Sequence, residues 1–275
     1  AHARFRRALI ETKNPAERRK FWKWCAEDRL FYLNSFVYIF KAKGDPMPVA
    51  FNTYPFQDEV LLIMHKCMYD GDARRTEDNP YGQEGFRVKK NRYMGITWLY
   101  FIGMVEHGWH FERNRHYLIG SRKKDEVDRG GRAENEDGEQ LGEWARLMPK
   151  IDFVHLHQPE WMRPPGYVPM RQPWRMDMSI KNPANGNLIV GESANLDFGR
   201  SGRYFAIGFD EFAATEKAEG VHAACSSTTF SHAWISTPRG PATQFAMIGR
   251  SSIQQINLDW WMHPLHAEGI ELKEN

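Results

Sequence analysis

Apolar positions in this chain fall into short runs separated by stretches of helical spacing, the alternation that an α/β domain produces. Phe21, Trp22, Cys25, Leu30 and Leu33 recur at roughly helical intervals. Asn14-Pro15 stands ahead of them as a cap and first helical residue. A second apolar helix is expected over residues 60–68 and a third over residues 96–105. Buried strands are predicted around Phe86 and Val88 and over residues 116–120, 204–209 and 232–235. The run FVHLH (153–157) alternates as a strand would. Asn185-Gly186, between segments 178–181 and 187–191, marks a hairpin. The connections are equally legible. Residues 44–56 are rich in breakers, 70–84 form a polar loop, and 129–139 mix charge with glycine as a mobile surface loop does. Residues 158–175 carry Pro159, Pro164, Pro165, Pro169 and Pro173 and read as an irregular crossing, a lid or an interface.

Length and composition allow one large domain with an appended helical piece. The chain has 275 residues, 41% of them hydrophobic and 26% charged, enough for a sizeable core and too apolar for global disorder. The net charge of +2 points neither toward nor away from nucleic acid, so only local clusters bear on that question. The basic residues Arg4, Arg6, Arg7, Arg18, Arg19, Lys20 and Lys23 form one such cluster, to be read as a nucleic-acid contact or as a solvated helix face. Cys25, Cys67 and Cys225 are far apart and form no C-x-x-C pair, which fits a reducing compartment. No apolar run approaches a membrane span and no signal-peptide pattern opens the chain, so cytoplasm is expected. The first residues, AHARF, lack an initiator methionine and read as a trimmed start.

Candidate chemistry centres on GFRVKKNRYMGITWLYF (85–101). A strand, a glycine-bearing loop and a helix in that order can cradle phosphate on backbone N–H groups. The pattern G-x-x-x-x-G-K-[ST] is not met: Lys90 takes the place of its first glycine and Ile96 that of its lysine, while Gly95 and Thr97 keep theirs. A lysine entering from the start of the loop can still supply the ammonium, and Thr97 the Mg²⁺-binding hydroxyl. The competing reading is a basic turn capped by glycine. Upstream, Gln57 in an aromatic–Pro–aromatic–Gln segment can offer a donor and an acceptor to adenine, or simply cap a helix. His155 and His157 find no partners at metal-ligand spacing and read as core or surface histidines.

Downstream, Asp210-Glu211 ends an apolar strand. One carboxylate there can hold Mg²⁺ and the next can serve as general base. Ser236-Thr237 ends a further strand, where hydroxyls can touch the γ-phosphate or the acidic turn. These features stand at predicted strand C-terminal ends, the ligand-binding edge of open α/β sheets, as does Ser121-Arg122-Lys123-Lys124.

With these residues in view, the chain resembles the large terminase subunit of tailed bacteriophages, the ATPase that packages DNA into procapsids. The resemblance is carried by YPFQDE (54–59), KKNRYMGITW (89–98), GSRKKDEVD (120–128), GRSGR (199–203), GFDEFA (208–213) and STPRG (236–240). It implies a nucleotide-binding loop of Lys90, Asn91, Arg92, Tyr93, Met94, Gly95, Ile96 and Thr97, with Arg92 near the γ-phosphate. It implies Mg²⁺ on Thr97 and Asp210, Glu211 as catalytic base, Gln57 reading adenine, and Ser236 and Thr237 coupling hydrolysis to movement. Arg200 and Arg203 are the candidate arginine fingers, acting on a neighbouring subunit, or else strand caps or phosphate-backbone contacts.

The expected fold is α/β, a mostly parallel sheet flanked by helices, of the RecA-like additional-strand P-loop NTPase class. An N-terminal helical segment or lid (1–50), an ATPase core (51–258) and the start of a linker (259–275) are expected. The resemblance further implies ATP and Mg²⁺ as ligands and double-stranded DNA, the portal and procapsid, and a small terminase subunit as partners. It implies a ring when assembled on the procapsid in the host cytoplasm, and no membrane. With no room for the family's nuclease domain, nuclease activity is not expected. A non-hydrolysing nucleotide or DNA-binding module with a degenerate loop, and a helicase-like translocase, are the alternatives.

Overall fold

The computed structural model describes residues 2–40, 48–128 and 144–268; the loop expected at 129–139 lies outside the described residues. Three helices open the chain: α1 (His2–Glu11), α2 (Pro15–Glu27) and α3 (Arg29–Phe36). Asn14 caps α2 by accepting from the Ala16 N–H, with Pro15 at its first turn. Asp28 closes α2 and caps α3 through the Phe31 N–H. The short strands β1 (Tyr38–Ile39) and β2 (Val49–Ala50) pair antiparallel. The basic N-terminal cluster is not uniformly solvated: Arg6 is buried and donates to the carbonyls of Val37 (2.7 Å), Leu33 (3.4 Å) and Phe51 (3.1 Å). It therefore ties α1 to the segments that follow.

Helix α4 (Pro55–Tyr69) starts at its proline, earlier than the apolar spacing alone indicates. Strand β3 (Phe86–Lys89) leads through the loop into α5 (Ile96–Tyr100), which continues as a π-helical segment (Phe101–Glu106) and then α6 (His107–Phe111). The expected helix at 96–105 is thus longer and changes its winding midway. Strand β4 (Tyr117–Ser121) is followed by α7 (Lys124–Val127) and α8 (Leu147–His157). FVHLH lies inside α8, not in a strand; Phe153, Val154 and His155 are all buried, so burial on several faces mimics a period of two. After the proline-rich crossing come β5 (Arg175–Met176), β6 (Ser179–Lys181), β7 (Leu188–Ser193), β8 (Ala206–Asp210), α9 (Ala218–Cys225), β9 (His232–Ser236), α10 (Gln244–Ile248) and β10 (Gln254–Asn257).

Eight strands form one sheet in the order β10-β3-β9-β8-β4-β7-β6-β5. Pairings from β10 to β7 are parallel; β6 joins β7 antiparallel through the expected hairpin, whose Gly186 has φ 76°, and β5 pairs antiparallel with β6. Strand β9 lies between β3 and β8, so one strand separates the loop-bearing strand from the acidic one. This is the insertion that defines the additional-strand class, and the protein has that α/β fold. A buried triad fixes the β5 edge: Arg175 donates to Asp128 at 2.7 Å and Asp152 at 2.8 Å.

Parallel strands need helices on both faces, and their inward positions are correspondingly apolar. Tyr32, Leu33, Phe36, Val60, Leu61, Met64, Phe101 and Ile102 belong to one buried cluster with β3, β4 and α8. Residues 259–268 fold back toward the start of α4, where His263 meets Tyr54 with ring centres 4.7 Å apart. One close approach governs the site. A Cβ at Gly208 would fall 2.2 Å from Tyr100 Cε1, so the α5 aromatic packs directly on β8. Gly208→Ala is expected to cost about 1–3 kcal/mol through overpacking, measured as a lower denaturation midpoint. A midpoint equal to wild type would show that Tyr100 can move aside.

Candidate active site

The loop from Lys90 to Gly95 is held from three sides. Its first N–H, on Lys90, donates to the Ser236 carbonyl at the end of β9 (3.1 Å). Its last residue, Gly95, adopts the left-handed region at φ 74°, which frees α5 to begin at Ile96. Between them Met94 is buried and Tyr93 is exposed with φ 63°.

Gln57 supplies the third support. Its Oε1 accepts from the Tyr54 N–H at 3.0 Å, capping α4, and its Nε2 donates to the Met94 carbonyl at 2.9 Å. The residue is only 2% exposed. The amide thus braces the loop, and each of its two polar atoms keeps one further hydrogen-bonding position.

Strand ends widely separated in sequence bring the reactive groups together. Lys90 Nζ lies 3.1 Å from Glu211 Oε1 and 3.5 Å from Asp210 Oδ1. Thr97 Oγ1 donates to Asp210 Oδ2 at 2.8 Å. Burial works against the Lys90 ammonium, but the charges of Asp210 and Glu211 outweigh it and raise its pKa. Glu211 sits in the left-handed region, φ 58° and ψ 34°, an unfavourable conformation for a glutamate. That bend turns the chain sharply after β8. Ser236 anchors the turn from below: its Oγ accepts from the Ala213 N–H (3.1 Å) and donates to the Thr237 carbonyl (2.9 Å).

A cavity of about 550 Å³ opens over these groups, lined by Lys90, Arg92, Tyr93, Arg122, Glu211, Thr237, Pro238 and Arg239. Arg122 is paired with Glu126. Arg92 and Arg239 are exposed and make no ion pair among the described residues. Motif reading gave Arg239 no role and placed Arg122 only within the polar stretch after β4; both line this cavity just beyond strand ends. Asn91 and Ile96 complete the loop, Ile96 as a buried residue whose side chain belongs to the core. Thr97 and Asp210 offer a hydroxyl and a carboxylate to a hard cation, the donor chemistry that Mg²⁺ takes.

Arg200 and Arg203 are not brought to this cavity. They precede β8, whose start lies beside the start of β4 through the bond from the Phe205 N–H to the His116 carbonyl (2.7 Å). This is the opposite edge of the sheet from Asp210. There Arg200 pairs with Asp197 at 3.2 Å, and Arg203 lines a separate cavity with Asn79, Tyr81 and Phe205.

No protein-family model matches the chain, and no curated protein matches it. Among solved structures it is similar to the large terminase of bacteriophage HK97, at 12% identity and a TM-score of 0.49, over 86% of this chain and 43% of that one. It is also similar to the large terminase of a thermophilic bacteriophage, in a complex with ADP and in a second crystal form. Both match at 12% identity and a TM-score of 0.46 over 74% of this chain, and over 44% and 45% of those chains. This chain thus spans less than half the length of each of these terminases.

Lys150, at the start of α8, is a buried cation near this site. Burial pushes its pKa down to about 8, with Asp210 pulling it up and Lys90 pushing it further down. Its ordinary value is 10.5, so between pH 8 and 10.5 the unfolded chain holds more protons than the folded one. Stability contributed by this group is therefore lowest below pH 8 and rises as pH passes from 8 to 10.5, by about 3 kcal/mol over the window. Burial raises the thiol pKa values of Cys25, Cys67 and Cys225 and pulls stability the other way above about pH 9. The Lys150 contribution is therefore read as a difference: wild type should gain about 3 kcal/mol on Lys150→Met between pH 8 and 10.5 in chemical denaturation. Equal pH slopes in wild type and variant would show that Lys150 is not the group responsible.

Proposed function

We propose that this chain is the ATP-hydrolysing motor domain of a viral large terminase subunit, driving double-stranded DNA into a procapsid. The observation that carries the reading is the convergence of Lys90, Thr97, Asp210 and Glu211 from β3, α5 and β8. A buried lysine bridging two carboxylates is costly as pure structure; it is apt where triphosphate and metal can take over those partners. Lys90 would turn from the acids to the phosphates, and Arg92, Arg122 and Arg239 line the space where further phosphate charge would lie.

Thr97 and Asp210 would hold Mg²⁺, which supplies charge neutralisation on the phosphate oxygens. Glu211, on its strained turn, would take a proton from the attacking water as the γ-phosphoryl group passes to it, leaving ADP and inorganic phosphate. Ser236 is bonded both to the turn after Glu211 and, through its carbonyl, to Lys90, which gives a rigid route from the hydrolysed bond to β9 and Thr237. Arg200 and Arg203 stand too far round the sheet to serve their own subunit, so either would act as a finger only on a neighbour's ATP in a ring. Portal, procapsid and small-subunit contacts and a host-cytoplasmic site of action belong to the same reading.

Phosphate release from Mg²⁺-ATP tests it. Glu211→Gln is expected to lower turnover by about 10²–10⁴-fold while retaining ATP binding, and Lys90→Ala to weaken binding as well. Turnover per chain should climb with protein concentration and fall in Arg200→Ala or Arg203→Ala. ATP bound but never hydrolysed, even on an assembled procapsid with DNA, would favour a non-hydrolysing nucleotide module. No ATP binding would overturn the proposal.

A further inference from the structure

The helix that begins at the phosphate loop ends in a second cluster that the ATPase reading does not use. Glu106 closes the π-helical segment, and His110 lies one turn further on in α6. His155 comes from α8. All three side chains are fully buried. His110 Nδ1 is 3.0 Å and His155 Nε2 is 3.2 Å from the same oxygen, Glu106 Oε1. The three candidate ligand atoms lie within 4.8 Å of one another.

Hydrogen bonding alone leaves this cluster incomplete. Glu106 Oε2 is satisfied by the Tyr32 hydroxyl at 2.9 Å, which in turn accepts from Gln158 Nε2 at 2.6 Å. His155 is not satisfied. Its Nε2 is close to Glu106 Oε1 but poorly directed for an N–H···O bond, and neither ring nitrogen has a hydrogen-bond partner among the described residues. A buried imidazole left this way loses its hydration without compensation. Two imidazoles and a carboxylate converging from two helices form the donor set that takes zinc, and an ion about 2.0–2.2 Å from each would separate its ligands by about 3.4 Å. The two ligand separations seen are close to that value. The Tyr32–Glu106 bond has the form of an outer contact that orients a ligating carboxylate.

We infer that Glu106, His110 and His155 form a structural divalent-metal site, suited to Zn²⁺, that pins α6 to α8 behind the nucleotide-binding face. The π-helical segment has a purpose in this arrangement, since such segments shift the facing of the residues after them. Here the winding brings Glu106 and His110 to face α8. Because the side chains are sealed from solvent, the ion enters as the chain folds, and its binding adds to folding stability. Tyr32 is a positioning residue.

The test is metal content of the chain expressed in zinc- or cobalt-supplemented medium and dialysed before elemental analysis. About one Zn²⁺ per chain is expected, and the cobalt form should show visible Co²⁺ bands with imidazole ligands. His155→Gln and Glu106→Gln should lose the metal, Tyr32→Phe should bind it about 10–100-fold more weakly, and Lys90→Ala should keep it. A folded wild-type chain without metal would overturn the inference, as would metal retained in both His155→Gln and Glu106→Gln. If those two variants do not fold, X-ray absorption of the wild-type cobalt form decides: imidazole scattering supports the site, and its absence overturns it.

Discussion

A charged lysine held among two carboxylates at the end of a parallel sheet is the constraint on which the rest of this structure depends. Lys90 is nearly buried, and an ammonium withdrawn from water needs partners of opposite charge within a few ångströms. Those partners, Asp210 and Glu211, stand at the end of β8, two strands away from β3. The inserted strand β9, the brace from Gln57 to the loop, the bond from Ser236 to the acidic turn and the glycine that lets Tyr100 lie on β8 all fix the separation between them. Loosening any one of these leaves charges buried without their counterparts. The sheet order and the chemistry are thus the same fact viewed at two scales.

One helical run connects this charged edge to the interior. It begins at Ile96, one residue before Thr97, and ends beyond His110, changing from α to π winding and back along its length. Its first turn carries Thr97, bonded to Asp210, and its last faces the buried Glu106 cluster. Displacement of the loop end would therefore be resisted, or transmitted, by how firmly the far end is anchored to α8.

Much of this is legible from the residues, for reasons that can be stated. The strand-terminal positions of Lys90, Asp210 and Ser236 follow from short apolar runs ending in polar groups, a signal that parallel sheets produce strongly. Asn14, Pro15 and Asn185-Gly186 announce a helix start and a turn through local backbone chemistry, and the structure has both. Misreadings come where tertiary context outweighs local pattern. The alternation in FVHLH imitates a strand because α8 is buried on several sides. The bonds of Gln57 to Tyr54 and Met94 are illegible for another reason: they exist only once the loop is folded against α4. Glu106, His110 and His155 meet across a helix pair, and nothing in their sequence spacing links the third to the first two.

The left-handed backbone at Glu211 carries an evolutionary implication. A glycine or asparagine would occupy that φ and ψ with less strain, relieving about 1 kcal/mol or more, so thermodynamic drift pushes this position away from glutamate. With the acid there, the turn carries strain that its own backbone would shed with another residue. A chain with no use for this carboxylate would become sturdier by giving it up.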